Sequence, residues 1–197
     1  IFFEKVFNFL KSSNTNIDSV PEIISVGGKG LFSSYSKLLS SFQVKFYIIA
    51  DLDYVEQVGS EEVKKLFTLN TPEIKRDVID NIKSMDGDKL VKDINNAIET
   101  GSWNKAIETW EYIKSKRKKI PSDLNNVNRN ILESFIHSKA SDNLFILKNG
   151  ALENYLPIGY ASKDLQSLIT FLEDEDFWNK LPSNKAEIEK IALMILS

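Results

Sequence analysis

The 197-residue chain contains no cysteine. That absence excludes a disulfide scaffold, a thiolate metal site and a cysteine nucleophile, and it fits a reducing compartment. Histidine occurs once, at His137, which disfavours histidine-rich metal sites and leaves a Ser-His-Asp hydrolase with a single candidate base. A metal, if present, would be held by oxygen. No stretch approaches the roughly 20 apolar residues needed to cross a bilayer, and the opening Ile1-Phe2-Phe3-Glu4-Lys5-Val6-Phe7 lacks the charged start and long apolar core of a leader. The expectation is a soluble cytoplasmic protein without membrane partners. Charge excess is also small: the formal net charge is -3, with both signs interspersed, so no global basic field announces a polyanion. Nucleic acid must be argued from a site. The first residue is not methionine and already lies in a helix-like apolar pattern, which reads as a piece of something longer.

What is present is a 42% hydrophobic composition, enough for one α/β domain carrying an insertion, the preferred reading, or for two small domains with separate cores. Phe2, Phe3, Val6, Phe7 and Leu10 recur at helical spacing and predict a helix from residue 1 to about 13, ended by the polar run 12–16. Ile23-Ile24-Ser25-Val26 predicts a short strand stopped by Gly27-Gly28, after which Leu31, Phe32, Tyr35, Leu38 and Leu39 predict a helix. Val44 to Ala50 is the most β-branched and aromatic stretch, a buried parallel strand running into Asp51-Leu52-Asp53. Residues 57–140 read as a helical insertion, with helices at 60–69, 72–85, 88–100, 102–118 and 122–140. Gly87 and Gly101 serve as helix stops. Asn143 to Leu147 restores a strand, Lys148-Asn149-Gly150 turns it, and helices near 162–174 and 183–196 finish the chain. The fold class is α/β, a parallel sheet flanked by helices, with a core of 1–56 and 141–197.

Ligands of such sheets gather beyond the carboxyl ends of the strands, where Asp51 and Asp53 stand. At i and i+2 on a straight strand the two carboxylates face the same side and can share one hard cation. Two carboxylates in one cleft repel unless a cation or proton intervenes, which points to Mg²⁺ or Mn²⁺. The alternative is a pair of loop aspartates capping a turn.

The run Ile24-Ser25-Val26-Gly27-Gly28-Lys29-Gly30, a helix, then Tyr47-Ile48-Ile49-Ala50-Asp51-Leu52-Asp53 resembles the Toprim domain of OLD-family (overcoming lysogenization defect) nucleases. Phe145-Ile146-Leu147-Lys148-Asn149-Gly150-Ala151-Leu152-Glu153-Asn154-Tyr155-Leu156 is similar to the late family segment in which a strand leads to a lysine, a glycine and a glutamate. The resemblance implies a Toprim-like fold with a helical insertion, and metal-assisted phosphodiester hydrolysis of DNA by an endonuclease or nickase. It implies Asp51, Asp53 and Glu153 as metal ligands or their water-mediated partners, and Lys148 as a cation facing developing transition-state charge. It further implies an ABC-type ATPase domain or subunit, a homo-oligomer and a role in antiphage defence. The family's opening glutamate would fall just before Ile1, and Glu4, inside the first helix, is a poor substitute. RNA cleavage, primase-like chemistry and a noncatalytic interaction module remain as alternatives.

The glycines around Lys29 lack the Lys-Ser/Thr of a Walker loop, so no nucleotide site follows; Lys29 could touch nucleic-acid phosphate instead. Lys114 to Lys119 is the one dense basic run, able to attract a phosphate backbone or simply to end a helix. Glu56, Glu61 and Glu62 could assist a second metal or form an acidic helix start. Trp103, Trp110 and Trp178 could stack on bases, but Trp103 and Trp110, seven apart, would share a helix face, so core or helix packing is the expectation, and His137 is expected to be structural.

Overall fold

The computed structural model describes residues 1–13, 19–80, 84–160 and 164–197. Its elements are helices α1 (Phe2–Ser13) and α2 (Phe32–Ser41), strand β1 (Ile48–Ala50), and short helices α3 (Val55–Val58) and α4 (Glu61–Lys64). Strand β2 (Thr68–Leu69) and helix α5 (Thr71–Ile74) follow, the latter running on as a π-helical stretch over Lys75–Ile79. Then come α6 (Met85–Thr100), α7 (Asn104–Lys116), β3 (Lys118–Lys119), α8 (Asn126–Ala140) and β4 (Leu144–Ile146). Helices α9 (Leu165–Glu173), α10 (Phe177–Lys180) and α11 (Lys185–Leu196) complete the chain. The fold is mixed α/β, mostly helical around a small parallel sheet, consistent with a Toprim-like architecture.

Two compact units form: Ile1–Val58 with Ile131–Ser197, and Gly59–Asn130. In the first, β1 and β4 pair in parallel with Ile48 opposite Leu144, Ile49 opposite Phe145 and Ala50 opposite Ile146. Its core gathers Phe2, Val6, Phe7 and Leu10 of α1, Phe145 and Leu147, Tyr155, and Ile188, Ile191, Ala192 and Ile195 of α11. The apolar period of α1 read from sequence is therefore the face that packs on α9 and α11. Trp178 stacks on Phe9 with ring centroids 5.1 Å apart.

In the second unit α6 packs on α7, with Ala97, Ala106 and Ile113 buried. Thr109 is buried as well, and its hydroxyl donates to Asp93 at 2.6 Å. Gly101 ends α6 in a left-handed conformation, φ 71°, as its place after the last helical residue requires.

Several sequence expectations are corrected. Ile23–Val26 is not a strand: it finds no pairing partner among the described residues, and Ile23 and Ile24 are exposed. The strand expected over Val44–Ala50 is confined to Ile48–Ala50, because the chain leaves α2 through Gln43 at φ 57° and β4 offers only three partners. Residues 60–69 are not one helix; after α4 the chain enters β2, which pairs antiparallel with β3. Gly87 does not stop a helix but lies in the first turn of α6, its N–H donating to the Ser84 hydroxyl cap at 2.9 Å. Of the helices expected at 72–85 and 162–174, residues 81–83 and 162–163 lie outside the described residues, as do 14–16 of the polar run. Trp103 precedes α7 as its cap and is 49% exposed rather than packed. His137 is exposed on α8.

Candidate functional site

Asp51 sits where β1 stops pairing. Its backbone is extended (φ -64°, ψ 159°), and it caps a 3₁₀ turn, Leu52–Tyr54, closed by Tyr54 N–H donating to Asp51 C=O at 3.0 Å. Burial of Tyr54 and Val55 draws the chain inward at this point. Asp51 and Asp53 are therefore not two positions of one straight strand, and strand alternation does not place them. Asp53 lies in the first turn of the 3₁₀ segment.

The loop after β4 wraps Asp51. Leu147 N–H donates to Ala50 C=O at 2.9 Å, and Leu52 N–H donates to Gly150 C=O at 3.0 Å, so backbone pairing continues past the strands on both sides of the aspartate. Leu152 N–H donates to Asp51 Oδ1 at 3.1 Å. Gly150 adopts φ 113°, and a Cβ there would run into the Asn154 amide, which donates to Asn149 C=O. Glycine is required by both the backbone angle and the space.

The electrostatics are those of crowded acids. The Asp51 carboxyl is pushed above the ordinary carboxylate range, first by burial and next by Asp53, with Glu153 adding to the rise; the Leu152 N–H and Lys29 oppose it. Glu153 thus shares the field of the aspartates. Lys29, on the glycine turn where Gly27 and Gly28 have positive φ, extends its ammonium to Asp53 Oδ2 at 2.8 Å and to Glu56 Oε2 at 4.0 Å. Lys148 is exposed, and its backbone N–H rather than its ammonium makes the recorded contact, to Glu187.

The acids that share the field of Asp51, Asp53 and Glu153, are oxygen donors, which suits a hard divalent cation. Lys29 lowers the Asp51 pKa but does not offset burial and the neighbouring acid charges. Among the described residues, however, no three acidic or histidine side chains converge closely enough to hold an ion. The donor chemistry fits such a cation, and the Lys29 ammonium already occupies one carboxylate that would take part.

Glu187 escaped sequence reasoning. From the first turn of α11 its Oε1 accepts the Lys148 N–H at 2.8 Å, and its Oε2 accepts Asn149 Nδ2 at 2.9 Å and the Tyr155 hydroxyl at 2.6 Å. Tyr155 is fully buried, its hydroxyl also accepts the Asn149 N–H at 3.1 Å, and burial with the Glu187 hydrogen bond raises its pKa far above the usual phenol value. A signal existed: Glu187 falls four and eight residues before Ile191 and Ile195, an acid on an apolar stripe.

The remaining candidates lie elsewhere. Glu61 and Glu62 open α4 in the other unit, where Glu61 pairs with Lys64 at 3.3 Å. In the basic run, Lys114 pairs with Glu111 at 2.5 Å and Arg117 with Asp86 at 2.9 Å, while Lys116 lies over Tyr112 and Lys118 and Lys119 are exposed on β3.

Residues 1–53, which carry the glycine turn and both aspartates, match the family described as overcoming lysogenization defect protein-like, TOPRIM domain. Over 154 residues, 78% of the chain, the sequence is 26% identical to the Old nuclease of Escherichia phage P2. The chain spans about a quarter of that relative's length, 24% of it being covered. No solved structure matches the chain. No helix among the described residues is long and apolar enough to cross a membrane.

Proposed function

We propose that this chain, an OLD-family Toprim protein, is the metal-dependent cutting centre of a DNA endonuclease or nickase. The observation that carries the reading is the placement of Asp51. The acid stands at the carboxyl end of β1, wrapped by the loop after β4, beside Asp53 and within the field of Glu153. An acid kept partly out of water next to another acid has a cost that a catalytic cation would offset. A bound Mg²⁺ or Mn²⁺ would polarise a scissile phosphate and acidify an attacking water. Asp51 and Asp53 would hold it, with Glu153 joining directly or through water. Lys29, released from Asp53, and the exposed Lys148 are the cations available to a phosphate. An ABC-type ATPase partner, self-association and a part in antiphage defence belong to the same proposal, and they rest on the family resemblance alone.

The test is nicking of supercoiled plasmid with Mg²⁺ or Mn²⁺, comparing wild type with the Asp51→Ala, Asp53→Ala double variant. Cleavage that needs the metal and disappears in the variant supports the reading; equal cleavage by both proteins removes it. A noncatalytic Toprim module is the second reading, favoured by the Lys29–Asp53 ion pair and by the absence of a three-acid cluster among the described residues. No cleavage of DNA or RNA by wild type with either metal would select it.

A further inference from the structure

We propose that Glu187 is a positioning residue for Asp51, acting through the loop that follows β4. This rests on the reading of Asp51 as part of the cutting centre. Beyond the end of β4 the backbone N–H groups of Lys148 and Asn149 have no strand to bond, and a segment in that state moves unless other groups satisfy it. Glu187 Oε1 takes the first at 2.8 Å, and the Tyr155 hydroxyl takes the second at 3.1 Å. Glu187 Oε2 orients that hydroxyl at 2.6 Å and holds the Asn149 side chain at 2.9 Å. The cap of the same helix adds a second tie, Asn184 Nδ2 donating to Asn154 C=O at 2.9 Å. The first turn of α11 thereby grips the loop on both sides of Gly150–Glu153.

What the loop does in return is hold Asp51. The Gly150 carbonyl fixes the Leu52 N–H, and the Leu152 N–H fixes the Asp51 carboxylate. Asp51 Oδ1 is thus oriented by a backbone amide whose own position is set two hydrogen bonds away, by a carboxylate that never touches it. Glu187 is suited to this because an ionised carboxylate accepts several donors at once, and hydrogen bonds to a charged acceptor are stronger than neutral ones. Glutamine offers one oxygen where the loop needs two, so Glu187→Gln keeps the volume and removes an acceptor.

The experiment pairs Glu187→Gln with Tyr155→Phe, which cuts the same brace from the other side. Amide hydrogen exchange at Leu52 and Leu152 is read together with single-turnover nicking and KM. The expected result is exchange at Leu152 accelerated about tenfold in both variants, more than any drop in the unfolding midpoint accounts for, a local opening rather than a global one. In the same variants kcat falls by about tenfold to a hundredfold at unchanged KM, the signature of a misplaced catalytic group. Wild-type exchange at Leu152 in both variants would overturn the brace whatever the protein cleaves. Accelerated exchange with full cleavage would overturn its link to the reaction. Loss of the cutting-centre reading is seen separately, as Asp51→Ala nicking at the wild-type rate.

Discussion

The Lys29 ammonium lies 2.8 Å from Asp53 Oδ2 and 3.3 Å from the Asp53 carbonyl, so a residue of the glycine turn neutralises one member of the acid pair. A cation binding Asp53 must first break this contact. Exposed ion pairs are worth about 0–1 kcal/mol, so Lys29→Met is expected to tighten divalent-ion binding by up to about fivefold. Titration with Mn²⁺ followed by electron paramagnetic resonance measures this. Weaker Mn²⁺ binding in the variant would mean that Lys29 organises the acids instead of competing for them.

The raised pKa of Asp51 sets two opposite pH trends. Burial and the Asp53 charge make the folded protein hold the Asp51 proton more tightly than the unfolded chain does. Metal-free stability therefore falls as pH rises from the ordinary carboxylate range through the raised pKa, and the loss persists above it. Asp51→Asn keeps an oxygen for the Leu152 N–H without the charge, so its metal-free unfolding midpoint at pH 7 is expected to rise by a few degrees. Cation binding runs the other way: it needs the carboxylate and is lost on acidification earlier than for an ordinary aspartate. Calorimetric scans across pH, with and without Mg²⁺, show both trends or refute them.

Gly150→Ala places a Cβ against the Asn154 amide at a backbone angle that L residues rarely adopt. Strain of that kind is worth about 1–3 kcal/mol, so the variant should unfold at lower denaturant, with the slope unchanged. Urea unfolding followed by circular dichroism is sufficient, and a wild-type midpoint would contradict the geometry.

Lys116, Lys118 and Lys119 belong to the Gly59–Asn130 unit, whose sequence holds 14 Lys and Arg against 12 Asp and Glu. The acids Glu111 and Asp86 are engaged by Lys114 and Arg117, and among the described residues these three lysines form no ion pair. If they contact phosphates, changing all three to alanine lowers the steepness of log affinity against log salt by about one per lysine. Fluorescence anisotropy with a labelled duplex over a KCl series reads that slope; an unchanged slope would leave the run as a solvated helix end.

Local chemistry was legible in the sequence where it acts within one helix or turn. The α1 stripe from Phe2 to Leu10 and the glycine stop at Gly101 follow from period and cap chemistry alone. Ile23–Val26 misled because β-branched composition describes a residue that fits a sheet without providing the neighbouring strand. Gly87 misled because the Ser84 cap, three residues earlier, outweighs the low helix propensity of one glycine. The acid pair was visible as Asp51-x-Asp53, yet its geometry was not. A 3₁₀ turn closed by Tyr54 separates the two side chains, and the Gly150 and Leu152 contacts that seat Asp51 come from about 100 residues away, which no spacing within the motif records. β2 and β3, two residues each, were too short to stand out from charged helical flanks.

The hydrogen bond between Asp51 and Leu152 joins residues 101 positions apart, and the parallel register of β1 with β4 closes nearly as long a loop. Contacts of that separation form late, because the chain must give up loop entropy before it recovers any pairing energy. A chain emerging from the ribosome presents both aspartates while the segment that will seat them is still unsynthesised. Asp51 therefore reaches its fixed carboxylate geometry only once α11 has been made and has closed on the loop that seats it.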